Sequence, residues 1–173
     1  MDEIPSEKKC IQYLREVGCS NEVINHCRAV RGVAVSIARR ANARVDLVEA
    51  GALLHDIGRS KTHSIRHAIE GAKIAKSLGL SEEIVHIIER HIGAGLSSDV
   101  AKSLGLPKKD YIPKTLEEKI VCHADNLLND CTRQPIEYEV EKALLNGYKE
   151  YALRLVALHK ELSEICGIDL NKI

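Results

Sequence analysis

The chain has 173 residues, with 25 Lys plus Arg against 25 Asp plus Glu and neither Phe nor Trp; this suits one domain and makes nucleic acid a disfavoured partner, since net positive charge and stacking platforms are both wanting. Hydrophobic residues make up 45%, yet no apolar run reaches the ~18 residues of a membrane span, and the acidic start Met1-Asp2-Glu3-Ile4-Pro5 lacks the basic and apolar regions of a secretion signal. The expectation is a single domain over residues 1–173, cytoplasmic and without a membrane partner, whose six scattered cysteines are small buried hydrophobes.

Apolar periodicity is helical along the chain, with no alternating strand of useful length, so the predicted class is all-α. A first helix over about Glu7–Val17 stops at Gly18, and Ser20 caps a second that reaches about Ala41. In the second, His26 shares a stripe with Val30, Val33 and Ile37, which turns its ring inward. Asp46 and Glu49 resemble a capping box for a third helix that ends in Leu53-Leu54-His55-Asp56-Ile57-Gly58-Arg59. Neighbouring helical side chains point about 100° apart, so His55 and Asp56 converge only where the helix ends, and Gly58 is expected to end it in a left-handed cap. Such a pair suits either a metal ion or a buried His–Asp hydrogen bond.

Ser64 is expected to open a fourth helix running to about Gly79, with His67 on the stripe of Gly71, Ile74, Ala75 and Leu78. The small residues Ala68, Gly71, Ala72 and Ala75 allow close backbone approach there. Ser81 caps the next helix, where His91 completes the apolar spacing of Ile84, Ile87 and Ile88. Between His91 and Thr115, glycines and prolines break any long helix. A short helix near Asp99–Leu104 interrupts this segment, which reads either as a substrate-binding lid or as a surface insertion. Thr115-x-x-Glu118 is a capping box for a helix to about Cys131 that directs Asp125 toward apolar surroundings. One long final helix is expected over residues 135–166.

A buried ionised carboxylate is costly unless paired or metal-bound. For Asp125 alone an Arg or Lys partner would suffice. Jointly, however, His26, His55, Asp56, His67, His91 and Asp125 are biased inward from five helices, a density that favours a metal centre of the kind helical bundles build from facing helices. His63, His86, His123 and His159 fall outside this ligand set.

A His, then His-Asp in the string His55-Asp56-Ile57-Gly58, then a distant Asp resembles the HD superfamily of metal-dependent phosphohydrolases, over about residues 19–131. The resemblance implies a single-domain HD-type helical bundle with a buried metal centre, and His26, His55, Asp56 and Asp125 as its core ligands. His67-Ala-Ile-Glu-Gly-Ala and Arg90-His91-Ile-Gly-Ala-Gly are similar to motifs of dinuclear members, which would make His67 and His91 ligands of a second ion bridged by Asp56. The stretch from Thr115 to Asp125 is similar to one in bacterial HD-type diadenosine tetraphosphate hydrolases. The chain departs from the cyclic-dinucleotide phosphodiesterases of the superfamily, which have two adjacent histidines and then Gly-Tyr-Pro, where this chain has His91 alone and continues Gly95-Leu96-Ser97.

The cofactor implied is a transition metal, as two ions, and mixed imidazole and carboxylate ligation does not select among Fe, Mn, Co, Ni and Zn. The implied function is hydrolysis of a phosphoester or phosphoanhydride bond in a small nucleotide by a metal-activated water. Asp56 and Arg59 would be catalytic, and Arg59, Lys61, His63 and Arg66 would bind the substrate's phosphate. The acid for the leaving group is either a water or His63. Two alternatives use the same pocket: a di-iron oxygenase, and a nucleotide sensor that binds without turnover.

Overall fold

The computed structural model describes residues 3–173, so Met1 and Asp2 of the acidic start lie outside the described residues. Helices α1 (Glu7–Glu16) and α2 (Asn21–Ala41) begin where Ser6 and Ser20 accept from the Lys9 and Val23 backbone N–H groups, satisfying donors that a helix start leaves orphaned. Helix α3 (Val45–Leu54) is buried at Leu47, Val48 and every position from Ala50 to Leu54. A helix apolar on all sides belongs in a core, and α1, α2, α5 and α7 pack around it, α5 being Glu82–Glu89 and α7 Leu116–Asn126. The capping box expected from Asp46 and Glu49 does not form. Asp46 accepts only from the adjacent Leu47 N–H, and the helix start is tied down from outside by Glu117, which accepts from Arg44 N–H.

After Leu54 the chain tightens into a 3-10 turn over Ile57–Ser60, with Asp56 between at φ −99 and ψ 14. Gly58 is therefore not a left-handed cap. The glycine is required for space: a Cβ there would lie 1.8 Å from the His67 carbonyl oxygen and 2.5 Å from the Gly71 nitrogen, because the turn rests on the first turn of α4 (His67–Ser77). Helix α4 starts three residues later than Ser64, which instead accepts from Arg66 N–H and shapes the preceding turn.

The segment after His91 includes α6 (Ser98–Ser103) and folds over a small cluster of its own, Leu96, Ala101, Leu106 and Tyr111 with Ile69 of α4. Helix α7 stops at Asn126, short of the expected Cys131, and a hairpin of β1 (Leu128–Asn129) and β2 (Thr132–Arg133) follows, with Asp130 at φ 55 in its turn. The single terminal helix expected over 135–166 is two, α8 (Ile136–Leu145) and α9 (Lys149–Cys166), packed as a hairpin that turns at Gly147 with φ 79. All six cysteines are free; Cys10, Cys27, Cys122 and Cys166 are buried as expected, but Cys131 is exposed in the β-hairpin turn. Among the described residues no helix is long and apolar enough to cross a membrane.

Candidate metal centre

The six side chains singled out from the sequence meet in one place. His26 comes from α2, His55 and Asp56 from the end of α3, His67 from the start of α4, His91 from just beyond α5, and Asp125 from α7. His26 Nε2 lies 3.0 Å from Asp125 Oδ1 and 3.8 Å from Asp56 Oδ2, and His55 Nε2 lies 3.7 Å from each of those oxygens. His67 Nε2 and His91 Nε2 lie 3.1 and 3.4 Å from the other oxygen, Asp56 Oδ1, and 3.1 Å from each other. Asp56 thus presents one oxygen to His26 and His55 and the other to His67 and His91.

Each ring is aimed by its second nitrogen. Nδ1 of His55, His67 and His91 sits 2.7, 2.8 and 2.6 Å from the carbonyl three residues earlier, at Ala52, Ser64 and Ile88. His26 Nδ1 sits 2.7 Å from the Asp130 carbonyl, 104 residues away. A carbonyl only accepts, so each Nδ1 carries a proton, and wherever the ring is neutral a bare Nε2 lone pair turns inward. This outer shell of hydrogen bonds is the arrangement that orients metal-ligating histidines.

Without a cation the arrangement does not balance. Even with His26 donating from Nε2 to Asp125 at 3.0 Å, His55 Nε2 and Asp56 Oδ1 are buried without a hydrogen bond. Burying such groups unsatisfied is costly, so the residues present fit a metal ion. The electrostatics agree. Burial opposes charge on His26, yet its hydrogen bond to Asp125 lifts it to about 9; burial likewise opposes charge on His91, yet Asp56 raises it. Protons are drawn to the points where a cation would sit. His55, enclosed completely, is instead pushed down to about 4 by burial. Burial alone would raise Asp56, but the surrounding His55, His67 and His91 rings hold it well below the usual carboxylate range.

A cleft of about 550 Å³ opens over this cluster, with His26, Asp56, Arg59 and Asp125 in its floor. Ser20, Glu22, Val23, His63 and Asp130 complete its lining. A larger cleft of about 770 Å³ along α1 holds none of the cluster and has no comparable chemistry. Of the basic residues expected to bind phosphate, Arg59 and His63 line the cleft. Lys61 and Arg66 do not; Arg66 donates to the Gly105 carbonyl on the far segment. The segment between His91 and Thr115 contributes nothing to the lining, so it flanks the centre and does not cover the cleft. Arg59 Nε donates to Asp56 Oδ2 at 2.7 Å, which makes it a support of the cluster as well as a cleft residue.

Two contributors escaped the sequence. Asp130 supplies the carbonyl that orients His26, and the left-handed preference of Asp in a turn was the available signal. Buried Glu118 accepts two hydrogen bonds from Arg90 Nη1, at 2.9 and 3.0 Å, pinning the residue before His91 to α7. The expected capping box is half formed, since Thr115 accepts from Glu118 N–H while the Glu118 carboxylate turns to Lys114 N–H and Arg90.

An all-α bundle with this buried His/Asp cluster defines an HD-type domain. The HD domain family matches residues 23–130, and the chain belongs to that family. HD domains bind divalent metals, which is the chemistry the cluster fits. The chain is 44% identical over 170 residues to the tRNA (cytidine(56)-2'-O)-methyltransferase of Thermoplasma volcanium, covering 98% of this chain and 50% of that protein. It therefore spans about half the length of that curated relative. A protein of Methanocaldococcus jannaschii is 46% identical over 165 residues, covering 91% of this chain and 97% of its own length. Among solved structures, the HD domain of the Listeria monocytogenes phosphodiesterase PgpH in complex with cyclic-di-AMP superposes with a TM-score of 0.56 at 18% identity, covering 89% of this chain and 96% of that one. That likeness establishes the fold.

Proposed function

We propose that this chain is a metal-dependent phosphohydrolase that cleaves a phosphoester bond in a small nucleotide, with His26, His55, Asp56, His67, His91 and Asp125 holding the metal. The observation that carries this reading is the convergence of four carbonyl-locked imidazoles on the two oxygens of Asp56, which leaves His55 Nε2 and Asp56 Oδ1 without partners. The division of those oxygens favours two ions, of which one would be held by His26, His55 and Asp125 and the other by His67 and His91, with Asp56 offering an oxygen to each set. Metal bound there would supply Lewis-acid activation of a water and neutralise phosphate charge.

The remaining roles belong to the chain. Arg59 Nε donates to Asp56 and Nη1 makes a long contact of 3.5 Å with the His63 carbonyl, which leaves Nη2 for a phosphate oxygen in the cleft. His63, exposed and lining the cleft, or a water beside it would give a proton to the departing oxygen. The test is elemental analysis of protein purified without added metal, followed by phosphate release from a nucleotide panel with each candidate metal. Metal-dependent release that is lost in Asp125→Asn supports the assignment, and release that persists after chelation sinks it. Oxygen consumption by iron-loaded protein without phosphate release would point to an oxygenase, and ligand-induced stabilisation without product to a sensor.

The methyl transfer named for the Thermoplasma volcanium protein is assigned here to the half it does not share with this chain. The relative in Methanocaldococcus jannaschii, which matches almost end to end, supports that division. Methylation of tRNA by this chain alone would overturn it.

A further inference from the structure

We infer that the outer face of the α8–α9 hairpin is an interface with a second copy of this chain, related to the first by a two-fold axis running along the helices. Among the described residues, seven of the nine exposed large hydrophobic side chains lie on this hairpin. Leu145 is 88% exposed, Tyr138 and Tyr148 62% and Leu153 61%. Single exposed apolar residues are ordinary on a monomer, whereas a contiguous group of them marks an interaction surface. Helical spacing makes this group contiguous, aligning Glu137, Glu141 and Leu144 on α8, and Leu153, Val156 and Lys160 on α9. The core does not use these stripes, because the hairpin packs inward through Ala143, Ala152, Leu155, Leu158 and Leu162.

Charge identifies the occupant. Between the stripes runs a groove of about 370 Å³ with Val140 and Val156 in its lining, Glu137 and Glu141 on the α8 side and Lys160 on the α9 side. Because the chain reverses at Gly147, Glu137 and Lys160 are level at one end of the hairpin, and Leu144 and Leu153 are level near the turn. Rotation about an axis along the hairpin keeps each level and exchanges the walls. The acids of each copy then face Lys160 of the other, and Leu144 of each faces Leu153 of the other. A two-fold interface must be complementary to itself, and this face is so in both charge and apolar contact. Its charges are also available: Glu137 accepts from Asn171, Glu141 forms no salt bridge among the described residues, and Lys160 has only a 3.9 Å contact with exposed Glu164. A lipid surface fits less well, since faces that bind lipid are ringed by Lys and Arg and this one has a wall of acids. Two such hairpins complete a four-helix bundle. None of these residues lines the cleft over the metal centre, so the inference stands or falls apart from the hydrolase reading.

The test is sedimentation equilibrium of the full chain, which should show monomer and dimer in exchange with a Kd below about 10 µM. Leu153→Asp, at an exposed position, should leave far-UV circular dichroism unchanged and raise that Kd at least about tenfold. Glu141→Lys and Lys160→Glu should each weaken the dimer at least about threefold, and together they should return Kd to within about twofold of the starting value. In a mixture of unlabelled and isotopically labelled protein, carbodiimide should join Glu137 or Glu141 of one copy to Lys160 of the other. A chain that is still monomeric at about 100 µM overturns the inference, whether it stays single or cosediments with phosphatidylglycerol vesicles. So does a dimer that Leu153→Asp leaves intact, or mixed-label cross-links confined to other faces.

Discussion

Two groups of histidines share helix α7, and only one of them is built for a cation. Asp125 joins the cluster of His26, His55, His67 and His91, while His123, two residues earlier, faces the opposite way into a second array. There His123 Nε2 lies 2.9 Å from His159 Nδ1, and His159 Nε2 lies 2.9 Å from Asp169 Oδ1. That array closes with neutral rings: Asp169 accepts from His159, His159 accepts from His123, and a single His123 Nδ1 is left over. In the metal centre each Nδ1 proton is committed outward to a carbonyl, so even with His26 donating to Asp125 the buried His55 Nε2 and Asp56 Oδ1 stay unpaired. Where the protons are pinned, more than how many imidazoles gather, separates a metal centre from a hydrogen-bonded line.

The largest break in that comparison comes from Asp56→Asn. It should remove bound metal and lower metal-dependent turnover by at least about 10³-fold, read by elemental analysis and phosphate release. His159→Asn should change neither by more than about twofold. Gly58→Ala comes next, because its methyl group would overlap the His67 carbonyl. We expect a loss of about 3 kcal/mol in denaturant titration and weaker metal binding from a displaced His67; wild-type stability would refute the close contact. Chelation follows: a metal at about 100 times its Kd adds about 2.7 kcal/mol to the folded state, so stripped protein should melt earlier and recover on reloading, and His159→Asn should keep that increment.

The smallest effect per step concerns pH in the stripped protein, at up to about 1.4 kcal/mol per pH unit, and separates the two groups. Burial pushes His55 down to about 4 and His123 to about 3, below their unfolded value near 6.5. The unfolded chain then binds more protons, and stability falls as pH drops from about 6.5 toward 3. His26, held up at about 9 by Asp125 against the opposing effect of burial, has the opposite sign. Its contribution is full below about 6.5 and is lost as pH rises through about 9. His123→Leu should flatten the acid limb by up to about 1.4 kcal/mol per pH unit and leave the alkaline limb unchanged. Urea titrations across pH check both limbs.

Much of the site was legible because inward bias is a local property. Periodicity placed His26, His67, His91 and Asp125 on apolar faces, and the succession of His55 and Asp56 at a helix end marked where two adjacent side chains could meet. The capping serines at 6, 20, 81 and 97 each accept a hydrogen bond at a helix start, although only those at 20 and 81 were singled out beforehand. Gly58 was noticed for a different reason: its role is steric and depends on α4 lying across the turn, which a window of sequence around residue 58 does not contain. The basic run Arg59, Lys61, His63 and Arg66 looked uniform in sequence, yet a short turn sends alternate members to different surroundings.

From composition, period and end signals alone, the chain was committed to an all-helical core and to six inward polar side chains, because each of those properties is set by residues within one or two turns of each other. Only the assembled structure decided that the Asp130 carbonyl holds His26, that Asp56 divides its oxygens between two pairs of histidines, and that His123 belongs to another array. Those outcomes depend on contacts across up to 104 residues, and packing of whole helices, not local preference, brings such partners together.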